Sequence, residues 1–356
     1  MRFLTLCAEF RAEGAVRFPD NPVNTLRGAL GFHLKRAVCI RKHGAGPVGI
    51  LSCRGCPLER ACVYSAVFET PVTSDGTAQA TSGGQDAPHP VVWWSEFDGP
   101  CTIAGHGRFR FGFTWFGRAV DTIPYFVYAL GEAGRSGFTR DRVPCSLQTV
   151  TLPDENHHPV WDPSTGTVEP LTARDLDVAE PETFTGECIK LGVRFKTPVS
   201  FKDRASGKIV NLPAFDRVVR SLLRRHTALL GLEGNPAPAW DYAGIIRKAA
   251  EIRLTGPNLK MVSWERFSSR QKTRAFWGGS VGTVCYEGDL RPFLPLLRAG
   301  ERLHVGRGTA FGQGRYELLE PPGDDRPTSP GHTDRPFPHE SLNQSCHGTL
   351  PAMRDR

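Results

Sequence analysis

One order of hydrophobic periods, met twice along the chain, limits the fold more than any other feature. Residues 2–10 read as a strand. Asn24 is placed to cap a helix over about 25–40, with Leu26, Ala29, Leu30, Leu34, Ala37 and Val38 on its inner face. Strand signals return at Val91–Glu96 and at Arg108–Phe116, where Phe109, Phe111, Phe113 and Trp115 alternate with polar or small residues. A helix suits Asp121 to Gly134, and a strand Val143–Leu152. A period of two fits a pleated strand with unlike faces, whereas spacings of three and four fit a helix.

The same order then recurs. Cys188–Phe195 reads as a strand, and Phe215, Val218, Val219, Leu222, Leu223, Leu229 and Leu230 give helical spacing over 215–230. Strands are expected near 249–254, 261–267 and 279–287, and Asp289 as the cap of a helix with Leu290, Phe293, Leu294 and Leu297 inward. A strand over 315–319 completes the unit. The order β-α-β-β-α-β is the ferredoxin-like, or RRM-like, plan. The expected fold is α+β, with two such domains in tandem. Residues 1–152 form the first, with a Cys-rich insertion at 39–62; 153–185 are a linker; 186–321 form the second. The Thr-, Ser- and Gly-rich run 70–90 reads as a mobile loop, and 322–356 as a disordered tail.

Totals narrow the function classes. The 356 residues suit two domains, and 39% hydrophobic content suffices for packed cores. A net charge of +7 and a pI near 9.0 favour a polyanionic partner. No apolar run approaches a membrane span and the first residues lack a secretory signal, so a cytoplasmic location without a membrane partner is expected. There the ten cysteines are thiols or metal ligands rather than disulfides.

Between the last helix and strand stands a loop with Gly306, Gly308, Gly312 and Gly314, together with His304 and Arg307. Glycines at this density permit positive φ, and successive bare N–H groups would form a concavity suited to phosphate. The loop has no Gly-Lys-Ser/Thr ending and leads into a strand, so neither a mononucleotide nor a dinucleotide loop fits. A tight turn that needs glycine for packing alone is the plainer alternative.

Cys39, Cys53, Cys56 and Cys62 are spaced C-x13-C-x2-C-x5-C. Four thiolates suit a closed structural zinc site, with an iron–sulfur cluster as the lesser reading and unliganded cysteines as the plain one. Residues 264–274 hold Arg266, Arg270, Lys272 and Arg274 with Gln271 and interleaved aromatics. Guanidinium forks suit phosphate, glutamine suits base edges and aromatics suit stacking, while a solvated hairpin is the alternative. On helix 215–230, Arg217, Arg220, Arg224 and Arg225 read as a solvent face.

Taken in order, Leu26–Gly31, Cys53-Arg54-Gly55-Cys56-Pro57-Leu58 with Cys62-Val63-Tyr64, Phe116–Ala119, Ser269-Arg270-Gln271 and the glycine loop resemble the RAMP superfamily of CRISPR-associated proteins. Within it the resemblance is to the Cas-six family, which cuts precursor CRISPR RNA within its repeats. This resemblance implies metal-independent cleavage in which a ribose 2′-hydroxyl attacks its own phosphate, leaving a 2′,3′-cyclic phosphate and a 5′-hydroxyl, with no catalytic cofactor. It implies repeat RNA, or the mature CRISPR RNA, as partner. The base in such proteins is often a histidine in or just after the first helix, a place held here by His33 and His43. Lys35 and Lys42 are the nearest phosphate stabilisers, and His106 and His304 are further histidines to weigh. His33 also lies on the apolar stripe, where a half-buried histidine without chemistry is equally natural. The rival function is a non-catalytic RNA-gripping subunit of a CRISPR effector complex.

Overall fold

The computed structural model describes residues 1–19, 21–41, 53, 55–69, 88–97, 99–153, 157–176, 178, 189–203, 206–268 and 273–319, with backbone only at 189, 265–268 and 273–276. The first unit runs β1 (Arg2–Ala12), α1 (Pro22–Val38), β2 (Val91–Ser95), β3 (Arg108–Phe116), α2 (Ile123–Ser136) and β4 (Cys145–Thr151). Its sheet has the order β2-β3-β1-β4, antiparallel throughout. The register pairs Leu6 with Phe113 and Phe10 with Phe109, so the large side chains of two strands meet on one face. Phe109, Phe111, Phe113 and Trp115 are all at most 1% exposed, as their alternation predicts. With Leu4, Leu6, Phe10 and the inner faces of α1 and α2 they form the first core.

The second unit runs β5 (Ile189–Val199), α3 (Phe215–Leu232), α4 (Tyr242–Ala250), β6 (Arg253–Ser268), β7 (Thr273–Gly288), α5 (Leu294–Leu303) and β8 (Tyr316–Leu319). Sheet order β6-β7-β5-β8 repeats that of the first unit, the ferredoxin-like arrangement. Phe3, Val92 and Phe116, from the opposite face of the first sheet, belong to the second core with Phe195, Phe215, Leu222 and Tyr286. The two units therefore share an apolar seam.

Several sequence expectations need correction. The cap of α1 is Asn21, whose Oδ1 accepts the Asn24 N–H at 3.0 Å, with Pro22 in the first turn; proline needs no N–H partner there. Residues 249–250 end a helix, α4, that the strand expected at 249–254 had hidden. Asp289 caps nothing: its Oδ1 is buried without a hydrogen bond, and α5 follows a short 3-10 turn at Arg291–Phe293. The strands expected near 261–267 and 279–287 are parts of two strands of 16 residues each. Because β5 pairs with β7 only from Ser280 to Gly288, the 262–268 and 273–279 stretches run past the sheet as a two-stranded arm. At the usual rise per residue it projects roughly 20 Å.

Candidate nucleic-acid interface

The glycine loop is built by a chain reversal after α5. His304 closes the helix at φ 57, and Gly306, Gly308, Gly312 and Gly314 follow at φ 81, 71, 76 and 70. Four left-handed residues in so short a run are accessible only to glycine without strain. Most of the loop's N–H groups are engaged within the protein. Gly306 donates to Ser221 Oγ at 2.9 Å, Arg307 to the Ser200 carbonyl at 2.9 Å and Gly314 to the Pro198 carbonyl at 3.0 Å. Phe311 and Gln313 both donate to the Gly308 carbonyl, and Gly312 to that of Thr309. Thr197 ties the loop to β5, its hydroxyl donating to the Gly312 carbonyl at 2.7 Å and accepting the Arg315 N–H at 2.9 Å. The glycines serve close packing: a Cβ on Gly314 would strike the Val305 carbonyl, and one on Gly312 would lie 2.9 Å from the Trp93 carbonyl across the seam.

The loop is also where the first unit grips the second. The Phe311 ring packs edge-on to Trp277 at 5.3 Å, and the Arg27 guanidinium of α1 sits 4.7 Å from the ring centroids of both Phe311 and Phe68. Arg307 lies 5.7 Å over Trp277. His304, weighed above as a direct RNA contact, is 2% exposed and its Nδ1 has no hydrogen-bond partner. Burial, reinforced by Arg315 and Arg225, pushes its pKa well down, so it stands as a neutral structural imidazole. Arg225 departs from its expected solvent face as well. It is buried, donating to the Leu303 carbonyl at 2.6 Å and the His89 carbonyl at 3.2 Å. It thereby fixes the turn into the loop.

Beside the loop a cleft opens between the units, with a volume of about 930 Å³ including its solvent-open mouth. Arg174, Lys196, Arg302 and Arg315 line it with the aromatic faces of Trp94 and Tyr316. Arg315 stacks over Trp94 at 4.5 Å and Arg302 over Phe3 at 5.3 Å. Glu317 holds Lys196 at 2.8 Å and Arg194 at 3.1 Å, so part of the positive charge is compensated in place. Such cations suit phosphates, and a guanidinium plane can itself stack on a base. Sequence reasoning missed these residues. The alternate basic positions Arg194 and Lys196 were the readable signal; the others come from segments far apart in the chain.

The structure parts the catalytic candidates. His33 is 7% exposed, its ring 5.1 Å from that of the exposed Phe32. Burial lowers its pKa, with Glu132 of α2 pulling the other way. Lys35, two residues on and so about 200° around the helix, is 3% exposed with Nζ 5.0 Å from the Tyr64 ring centroid. It lines a pocket with Cys39, Cys53, Cys56 and Cys62, not the surroundings of His33. Lys35, expected as a phosphate stabiliser, faces that pocket instead. His106 is an exposed turn residue at φ 64. Arg266 and Arg274 pair with Ala275 and Phe267 on the projecting arm. His43, Lys42, Arg270, Gln271 and Lys272 lie outside the described residues.

Comparison with known proteins agrees with this architecture. Residues 193–316 match the family model of the CRISPR-associated endoribonuclease Cas6, and residues 1–173 match a model described as an N-terminal domain. An uncharacterized protein of Archaeoglobus fulgidus is 25% identical over 303 residues, 83% of this chain and 90% of its own length. A Cas6 product complex superposes with a TM-score of 0.54 at 17% identity, covering 90% of this chain and 100% of that one. Thermus thermophilus Cas6 gives 0.49 at 15% identity, over 89% and 98%. The match to the CRISPR-associated endoribonuclease Cas6 model thus lies in residues 193–316, and the product complex shows a shared fold.

Proposed function

We propose that this protein cuts CRISPR repeat RNA to release guide RNAs, by attack of a ribose 2′-hydroxyl on the adjacent phosphate and without a catalytic metal. The observation that carries this reading is the cationic, aromatic cleft beside the glycine loop, set in a Cas6-family domain. Between the two strands of the arm the sequence places Arg270, Gln271 and Lys272, a second set of groups suited to phosphates and base edges. Among the described residues no helix is long and apolar enough to cross a membrane.

The chemistry needs a base for the 2′-hydroxyl proton, a cation for the growing phosphorane charge, and an in-line geometry. His33 is our choice of base. Its depressed pKa keeps the imidazole neutral near pH 7 and able to accept a proton. Its seat on α1 gives it a fixed direction, and Phe32 beside it offers an exposed face for a base. His43 is the alternative. As a phosphate stabiliser the buried Lys35 gives way to Arg36 and Arg142, whose charges act on His33.

The test is incubation of the purified protein with the repeat RNA of its own genome in EDTA. Discrete cleavage with 2′,3′-cyclic phosphate ends is expected, abolished by one 2′-deoxy substitution at the cut site with binding retained. Tight binding with no cleavage would replace the enzyme by an RNA-gripping subunit of a CRISPR effector complex. Absence of binding would remove both readings.

A further inference from the structure

The cysteine-rich segment has no part in that chemistry, yet the fold gathers it. Cys39 closes α1, its N–H donating to the Lys35 carbonyl at 2.9 Å. Cys53 and Cys56 are joined by a turn in which the Cys56 N–H reaches the Cys53 carbonyl at 3.0 Å. Gly55, at φ 75, supplies the left-handed residue of that turn and donates its N–H to Glu59 Oε2 at 2.9 Å. The chain then turns again, Cys62 N–H to Leu58 carbonyl at 2.8 Å. Four cysteines separated by up to 23 positions thus line one pocket of about 410 Å³. All four are free thiols of intermediate exposure, whereas Cys7, Cys101 and Cys145 are buried elsewhere in the sheets.

The surroundings suit thiolates. Lys35 and Arg41 line the same pocket. Four thiolates around a divalent ion carry two net negative charges, which two cations balance; Glu59 also lines the pocket, with a carboxylate oxygen on the Gly55 N–H. Among the described residues no three donors already stand in metal-binding geometry, so binding requires the thiols to rotate inward.

We propose that Cys39, Cys53, Cys56 and Cys62 bind one zinc ion as a closed four-thiolate site that fastens the end of α1 to segment 55–69. A closed S4 tetrahedron is a site type zinc favours, and it leaves no position for substrate. On binding, the four thiols lose their protons to solvent and four Zn–S bonds form, with no change of oxidation state. The fastened segment carries Tyr64 stacked on Phe68 at 5.0 Å, and Phe68 packs on Trp93 and under Arg27. Through Arg27 the clamp supports Phe311 in the glycine loop.

The test is elemental analysis of the full-length protein purified without chelator. About one zinc per chain is expected, falling below about a tenth in the Cys53→Ser/Cys56→Ser variant and unchanged in Cys285→Ser. Cobalt exchanged into the wild type should give the intense visible bands of a tetrahedral thiolate site. Should the double variant fail to fold, titration of the wild type with a thiol-specific mercurial decides, with release of zinc in step with modification of four thiols expected. Metal-free wild type, zinc retained in the soluble double variant, or a brown protein with iron and labile sulfide would each overturn the proposal. None of these outcomes depends on RNA cleavage.

Discussion

Two residues concentrate the physics of this molecule at the smallest scale. Gly314 combines φ 70 with a Cβ direction aimed into the Val305 carbonyl, whereas Gly166 has the same φ 70 and open space around it. Gly166→Ala should therefore cost about 1 kcal/mol from backbone strain alone, and Gly314→Ala more than about 3 kcal/mol, because the clash adds to the strain. Urea unfolding of both variants checks this, and equal costs would remove the packing role assigned to the loop. His33 is the other. If it is the base, His33→Ala should slow cleavage roughly 10²–10⁴-fold with RNA affinity unchanged. Since the neutral imidazole accepts the proton and burial depresses its pKa, the wild-type rate should be flat above pH 6.5 and fall only in more acid solution. A wild-type rate in the alanine variant would pass the role to His43 or to an arginine.

Among the elements, the arm of β6 and β7 makes the most separable contribution. Among the described residues its rungs from Ser268–Thr273 to Glu265–Phe276 pair only with each other, so changes at 269–272, between the two strands, should leave both cores intact. Arg270→Ala/Lys272→Ala is expected to weaken repeat binding and to lower the slope of log K against log salt by about 2, the loss of two phosphate contacts. An unchanged slope would make the arm a solvated hairpin. α3 shows the opposite case of an element bound tightly to its surroundings. Its apolar stripe was legible from spacing, but Arg225 on the same helix is buried by carbonyls from Leu303 and His89. Helical periodicity located the element; it gave no hint that one of its four arginines would turn inward.

At the scale of the whole molecule, buried histidines make a common acid weakness. His33, His89 and His304 all have lowered pKa values, His89 to about 3, chiefly through burial. The unfolded chain takes up protons at these positions below its ordinary 6.5, whereas the folded chain does not. Stability should therefore fall as pH drops from about 7 to about 5.5, by at most about 1.4 kcal/mol per pH unit for each histidine. Glu96 and Glu301, raised by burial, act in the opposite sense and blunt the loss in more acid solution. Denaturant midpoints measured across this range check the expectation, and His89→Gln should flatten the curve. A flat wild-type profile would show that these imidazoles are not buried in solution.

The two sheets, their helices other than α4 and the position of the glycine loop were legible in the chain itself, because strand and helix periods are set by the local backbone. Phe109, Phe111, Phe113 and Trp115 declare a strand wherever they are placed, and the pattern repeats closely enough to give two similar units. What the loop's glycines are for was decided elsewhere. The amides of Gly314 and Gly306 are taken by Pro198 and Ser221, and the space a side chain on Gly312 would need is filled by Trp93, more than two hundred positions away. The burial of His304 and the cleft of Arg174, Lys196, Arg302 and Arg315 have the same origin. Burial and charge compensation depend on which distant segments are brought together, and residue type and spacing carry almost none of that information.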